Sequence, residues 1–383
     1  MTRFSTHQRG SITAAAAGFT AFVNVYALQS LLPVLAEVFE TSSSSVSLAV
    51  SATTLAVALA SPFAGWLVGR MTRGALIKLS VGGLVFCGLQ AAFAGSLQTL
   101  ICWRFLQGLF LPVLIAGVLA FMSQDFPREQ LSRATSNYVT WTIVGGFSGR
   151  WLAGSLAGAF GWREALFGLA VANAGAGAIL LTTLSNPHSR LPSRRAPGVK
   201  DFFLSLSKRP LRAVYLIGFG SLFTMVGGFT YVTFHLSASP FDLGARELGN
   251  VFFVYLLGIT ITPMVGSALS RWGFSTTIGR TTRLAVGGLL LTLVPQLSCV
   301  IAGLALLCVA GFGTQACASA YIAGLEAEER SVAAGLYLSA YYVGGSLGAF
   351  LPGLVWQSFG WVGCVALLVL VQGQVYRLRA SLV

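Results

Sequence analysis

The chain has 383 residues, 55% of them hydrophobic and only 9% charged, with a formal net charge of +13. So few charges cannot cover the surface of a water-soluble protein of this length, which excludes soluble enzymes and soluble scaffolds. The basic excess lies in short loops with no aromatic–basic cluster beside it, so its partner is anionic lipid and no nucleic-acid surface is expected.

In chain order, apolar runs of about twenty residues, the length a helix needs to cross a bilayer, predict spans over 11–36, 46–68, 75–95, 98–122, 134–157 and 164–184. The first run is too long for the core of a cleavable signal and is needed as a span. Residues 185–210 (SNPHSRLPSRRAPGVKDFFLSLSKRP) break the pattern with Pro, Ser and Arg and read as a cytoplasmic linker. Within it, residues 199–207 are expected to form a short helix on the inner leaflet, with Phe202, Phe203 and Leu206 toward lipid. Six more spans follow over 211–236, 247–269, 276–295, 297–322, 332–356 and 361–379. The predicted fold is all-α and membrane-embedded: a six-helix bundle over 1–184, the linker 185–210, and a second six-helix bundle over 211–383.

Charge placement tests that map. With loops numbered from a cytoplasmic amino terminus, twenty of the 24 Lys and Arg fall on the cytoplasmic side and only Arg163 and Arg246 outside. A bias of ten to one obeys the positive-inside rule and places both termini in the cytoplasm. The six cysteines all lie in spans without metal-ligand spacing and read as small packing residues.

Residues 132–162 recur 199 positions later as 331–361, with twelve of 31 positions identical. Tyr138/Tyr337, Gly145/Gly344, Gly149/Gly348, Gly154/Gly353 and a closing Phe-Gly-Trp are among them. A second echo pairs Pro62, Gly65 and Arg70 with Pro263, Gly266 and Arg271. Two such halves, each with an even number of spans, are parallel repeats about an axis along the membrane normal, a layout that points to transport. The glycines four apart allow close helix contact. They are expected either to pack helices statically or to form the smooth faces on which the halves rock.

Ionisable groups inside the hydrocarbon are costly, so each one carries information. Arg104, in span 4, can hold an anion, tie helices through backbone carbonyls, or exclude a proton until the structure changes. Arg150 in span 5 and His235 near the outer end of span 7 are further coupling candidates, with Gln107 beside Arg104. All eleven acids lie in loops or at span ends, which disfavours multiply charged cations as substrates. Neutral, amphipathic or anionic solutes suit a cavity whose candidate lining is Asn24, Gln29, Asn137, Tyr138, Trp141, Tyr231, Gln315, Tyr337 and Tyr341. HExxH, a GxSxG elbow on a strand-to-helix turn and a mid-membrane acid pair are all missing, so no enzyme, cofactor or metal is expected.

These motifs carry a resemblance. Arg104-Phe105-Leu106-Gln107-Gly108 resembles the span-4 motif R-x-x-Q-G of the major facilitator superfamily, in its twelve-span drug/proton antiporter branch. Gly145 to Gly154 resembles the span-5 motif G-x-x-x-G-P-x-x-G-G, with Arg150 in the proline position. Gly65 to Arg73 resembles the loop motif G-x-x-x-D-R-x-G-R-R, with Gly69 in place of the acid and Ser270 as its counterpart before Arg271. Within that branch the chain resembles bacterial permeases of the arabinose-efflux type or uncharacterised drug-efflux carriers. The resemblance implies a monomer in a bacterial inner membrane that moves a small solute through a central cavity, with Arg104 in proton coupling and spans 1, 4, 7 and 10 as the moving wall. Without the acid at 69, a cytoplasmic latch would be weaker or built from other groups. Proton-coupled efflux of a small organic compound is the leading expectation. Uptake or exchange of an organic anion is the alternative, and a non-transporting receptor or scaffold is the alternative of a different class.

Overall fold

Backbone in lipid must satisfy its own hydrogen bonds, so long apolar runs become helices. The computed structural model of the chain describes residues 6–68, 70–126, 128–184 and 199–382, which are nearly all helical. The first span is broken: α1 (Thr6–Phe22), a 3-10 turn over Ala27–Leu31 and α2 (Leu32–Val38) meet at a bend of 45°. Then come α3 (Ser43–Val68), α4 (Arg73–Ala92), α5 (Leu97–Asp125), α6 (Arg128–Phe160) and α7 (Trp162–Thr183). After the short α8 (Val199–Ser207) follow α9 (Arg209–Ser237), α10 (Ala245–Val251), α11 (Leu257–Leu291), α12 (Leu297–Ala323) and α13 (Ala327–Leu378).

Two of these helices each hold more than one predicted span. Gly273 (φ 72°) interrupts α11 and Gly360 (φ 56°) interrupts α13, both in a backbone region that costs glycine nothing. The repeat explains the second break, because its counterpart Gly161 also has positive φ, at 108°, between α6 and α7. The duplicated Phe-Gly-Trp is therefore a hairpin corner in both halves. Divided there, and with α1–α2 as one bent span, the described residues form twelve membrane-length elements. Of the linker, 185–198 lies outside the described residues. In α8, Phe203, Leu204 and Leu206 are exposed and Ser205 is buried with its hydroxyl 2.7 Å from Tyr215 Oη, while the Phe202 side chain lies outside what the structure describes.

The packing repeats as the sequence does. In the first half α1 packs on α6, and α3 on α5; in the second, α9 packs on α13, and α11 on α12. Between halves, α3 meets α13 and α6 meets α10. The glycine stripes divide between these two jobs. A side chain at Gly145 or Gly149 would strike the backbone of Phe19 or Val23, and one at Gly344 or Gly348 that of Phe219 or Phe223. Those four pack against helices of their own half. Gly154, against Ala245 and Gly249, and Gly353, against Ser44 and the Tyr231 hydroxyl, do lie between halves. Gly65 and Gly266 face open space.

Gly69 lies outside the described residues, but another charged tie stands nearby. Arg73 Nη1 donates to Asp125 Oδ2 at 2.9 Å, and Nη2 lies 2.9 Å from Oδ1 and donates to Gln124 Oε1 at 2.8 Å. Its guanidinium also covers the Phe121 ring at 4.9 Å. Arg73 is 2% exposed, so the pair joins α4 to α5 where solvent screens little. Asp125→Asn should therefore lower stability by about 3 kcal/mol, read as an earlier thermal transition in detergent. Lys208→Gln, which breaks the exposed 2.7 Å pair with Glu329, should leave that transition nearly unmoved.

Candidate functional site

The break in the first span creates the site. In a 3-10 turn residues three apart share a face, so the turn after Tyr26 presents Tyr26 and Gln29 together, with Ser30 beside them, toward α6. Ser30 Oγ donates to the Arg150 carbonyl at 2.8 Å, which fixes the turn against that helix. Arg150 itself is 1% exposed. Its Nε donates to Gln29 Oε1 at 2.7 Å, Nη1 to the Gly146 carbonyl at 2.6 Å and Nη2 to Tyr255 Oη at 3.2 Å. Three rings surround the guanidinium: Tyr255 at 4.2 Å, Tyr26 at 4.8 Å and Phe252 at 5.1 Å. Cation–π contacts of this kind are strongest where water is excluded.

This constellation crosses the interface. Tyr255 and Phe252 belong to the second half, as does Thr230, whose Oγ1 accepts from Gln29 Nε2 at 3.0 Å. An aromatic floor extends from it. Phe229 and Phe312 flank Tyr255 at 4.7 and 5.8 Å between ring centres, while Tyr337 stacks on Tyr341 at 5.7 Å and Tyr341 meets Tyr342 edge-on at 5.5 Å. Tyr342 lies near both Tyr26 and Tyr138, and the Tyr138 hydroxyl is buried without a hydrogen-bond partner.

Arg104 is also buried, at 2% exposure, and meets the same broken span from the other side. Its Nη2 donates to the carbonyls of Asn24 and Val25, at 2.6 and 2.8 Å, and its Nη1 to Gln107 Oε1. Gln107 Nε2 in turn donates to the Leu84 carbonyl at 2.9 Å. Those two span-1 carbonyls lie where the helix is interrupted, so a planar fork supplies what the helix no longer can. Among the described residues neither Arg104 nor Arg150 has a carboxylate partner.

The other candidates scatter. Asn137 Nδ2 donates to the Ser11 carbonyl at 2.8 Å, tying α6 to α1. Tyr231 donates to the Ala349 carbonyl at 2.7 Å and lies 2.9 Å from Ser47 Oγ, sealing α3, α9 and α13 together near Gly353. His235 stacks on Trp361 at 5.6 Å, within the second half. Trp141 is 37% exposed, Gln315 half-buried, and the Asn24 amide nitrogen buried without a partner. Gln29, Tyr138, Tyr337 and Tyr341 do gather with Arg150 in the central group. Tyr26, Thr230, Phe252, Tyr255 and Tyr342 join them although the sequence reading passed them over. Aromatic residues in apolar spans look like packing, and the only available signals were the adjacent Tyr341-Tyr342 and the run Phe252-Phe253-Val254-Tyr255.

Cross-half contacts also run along α3 and α13. Gln357 Nε2 donates to Ser44 Oγ at 2.8 Å near the predicted outer ends, Ser51 Oγ to the Ser346 carbonyl at 2.9 Å midway, and Ser339 Oγ to the Ala58 carbonyl at 3.0 Å farther in. With α6 on α10, these contacts hold the two halves together beside the Arg150 group.

Comparison with known proteins agrees with this architecture. The chain is 27% identical over 355 residues to the uncharacterized MFS-type transporter YybF of Bacillus subtilis, covering 92% of this chain and 88% of that one. It is 27% identical over 358 residues to the inner membrane transport protein YnfM of Escherichia coli, covering 92% and 85%. In fold it is similar to a bacterial homologue of the human lysosomal transporter Spinster, solved inward-facing and occupied, with a TM-score of 0.79 at 12% identity over 98% of this chain and 96% of that one. Residues 14–349 match the Major Facilitator Superfamily, and with a fold of two repeated six-helix halves the chain belongs to that family of membrane transporters.

Proposed function

We propose that this secondary transporter exports a small organic solute from the cytoplasm of a bacterium, across its inner membrane, in exchange for protons. The halves 1–184 and 211–383 move as bodies about the central group, both termini facing the cytoplasm and one chain sufficing. The observation that carries this reading is Arg104, an uncompensated buried charge bonded to the carbonyls of a broken first span. A charge that grips a moving helix links its own environment to the position of that helix. While the grip holds, the fixed positive charge keeps protons out of the first half. When span 1 moves, the field changes and a proton can enter.

Counter-flow in proteoliposomes, run on a chemically varied solute panel with and without a pH gradient, tests the proposal. Exchange of at least one solute, with its accumulation driven by an acidic exterior equivalent, is the expected result. Exchange unaffected by any pH gradient would leave a carrier without proton coupling, and no exchange at all would favour a receptor or scaffold on this fold. Uptake or exchange of an organic anion is the second reading, favoured by two buried arginines without carboxylate partners.

A further inference from the structure

We infer that the solute is an aromatic organic anion and that Arg150 reads its negative charge. This rests on the carrier reading above and names the substrate class for the same central group.

Arg150 is a fully buried cation whose surroundings are one amide oxygen, one backbone carbonyl, one phenol and three ring faces. Those neutral groups soften the charge without cancelling it, and every acid of the chain lies in a loop or at a span end. Two of the three rings and the phenol come from Phe252 and Tyr255 in the opposite half, and Gln29 is bound there too, through Thr230. Parting α6 from α10 and from the turn Phe252–Leu256 that follows it, as any outward opening requires, removes the Tyr255 hydroxyl and two of the three rings, and leaves the guanidinium facing the vestibule with only Gln29, the Gly146 carbonyl and the Tyr26 ring beside it. A carboxylate fits that vacancy well, because two parallel N–H donors match its two oxygens. A cation is repelled from the same place. The ring of the solute has its own receptor in Tyr26, Tyr341 and Tyr342, and the unpartnered Tyr138 hydroxyl offers a donor inside the cluster.

The test uses the purified full-length chain in nanodiscs, with binding followed by tryptophan fluorescence and thermal shift. The probes are benzoate, 4-hydroxybenzoate and 2-naphthoate, each paired with its neutral amide of nearly the same shape. At least one carboxylate should bind about tenfold or more tighter than its amide. Gln29→Glu sets a resident carboxylate against Arg150 at unchanged size, so the folded variant should lose that preference. Arg150→Gln should lose it too, and Arg150→Lys should keep only part. Equal affinity for acid and amide in the native chain overturns the inference, as does a preference that survives Gln29→Glu. Counter-flow separates the two readings. If cationic or neutral dyes exchange while no carboxylate binds, the carrier stands and the anion site falls. If a carboxylate binds through Arg150 but neither it nor any other solute exchanges, the anion site stands and the carrier reading falls.

Discussion

Replacing Gly154 with leucine should hold the carrier open on its outer side and abolish transport while leaving the protein folded. The reason is steric and confined to one state. A side chain at 154 would meet the Ala245 carbonyl and the backbone of Gly249, which belong to α10 in the opposite half. Overpacking of that kind costs about 3 kcal/mol, enough to shift a two-state population roughly hundredfold against the closed form. The open form has no such clash. Ser51→Cys, buried beside Ser346 in the closed interface, should then react with a membrane-impermeant thiol reagent added from outside. Unchanged labelling together with normal transport would show that Gly154 is no gate contact. Gly149→Leu provides the contrast. Its side chain would fall on the Val23 carbonyl within its own half, so it should reduce folded yield in every state without any gain in outer labelling.

Arg104→Ala should eliminate pH-driven accumulation and also destabilise the protein, by about 1–6 kcal/mol. Three charged hydrogen bonds are lost, at about 1.5–3 kcal/mol each, against a relief of about 2.5–3.5 kcal/mol from no longer burying the guanidinium. Net destabilisation follows because the Asn24 and Val25 carbonyls keep no replacement donor. Coupling and helix tie are thus one arrangement, and stability alone cannot separate them. The separating measurement is transport per folded molecule. Counter-flow should survive Arg104→Ala better than accumulation does, since exchange needs the cavity but not the proton step. Arg104→Lys should recover part of the stability and little of the accumulation, because an ammonium cannot serve both carbonyls and Gln107 in one plane. If accumulation per folded molecule is unchanged in Arg104→Ala, Arg104 is only a tie.

Much of the architecture was legible because bilayer physics writes directly into sequence. The twelve spans follow from apolar length, and the halves from the recurrence of Tyr138 at 337 and Gly149 at 348. Even the corner glycines, Gly161 and Gly360, stand in the repeat as Phe-Gly-Trp. The site was legible in part. Arg104, Gln107, Arg150 and Gln29 stood out as polar groups in hydrocarbon, where burial is costly and must be compensated. Tyr255, Phe252 and Tyr26 did not, because an aromatic ring in a span is equally at home against lipid, a neighbouring helix or a cation.

What the sequence by itself determined is what depends on neighbours along the chain: span length, the duplicated corners, and the presence of two arginines that need shelter. What only the tertiary structure decided is which groups provide that shelter. Gly149 and Gly154 lie five residues apart on one helix, yet one packs inside its half and the other meets the opposite half. Arg104 found its partners in backbone carbonyls freed by a break in span 1, and Arg150 found its own in rings from spans 1 and 8. Carbonyls and ring faces carry no sequence signature as partners, since every residue has the first and packing alone explains the second. Their role exists only once the halves close over one another.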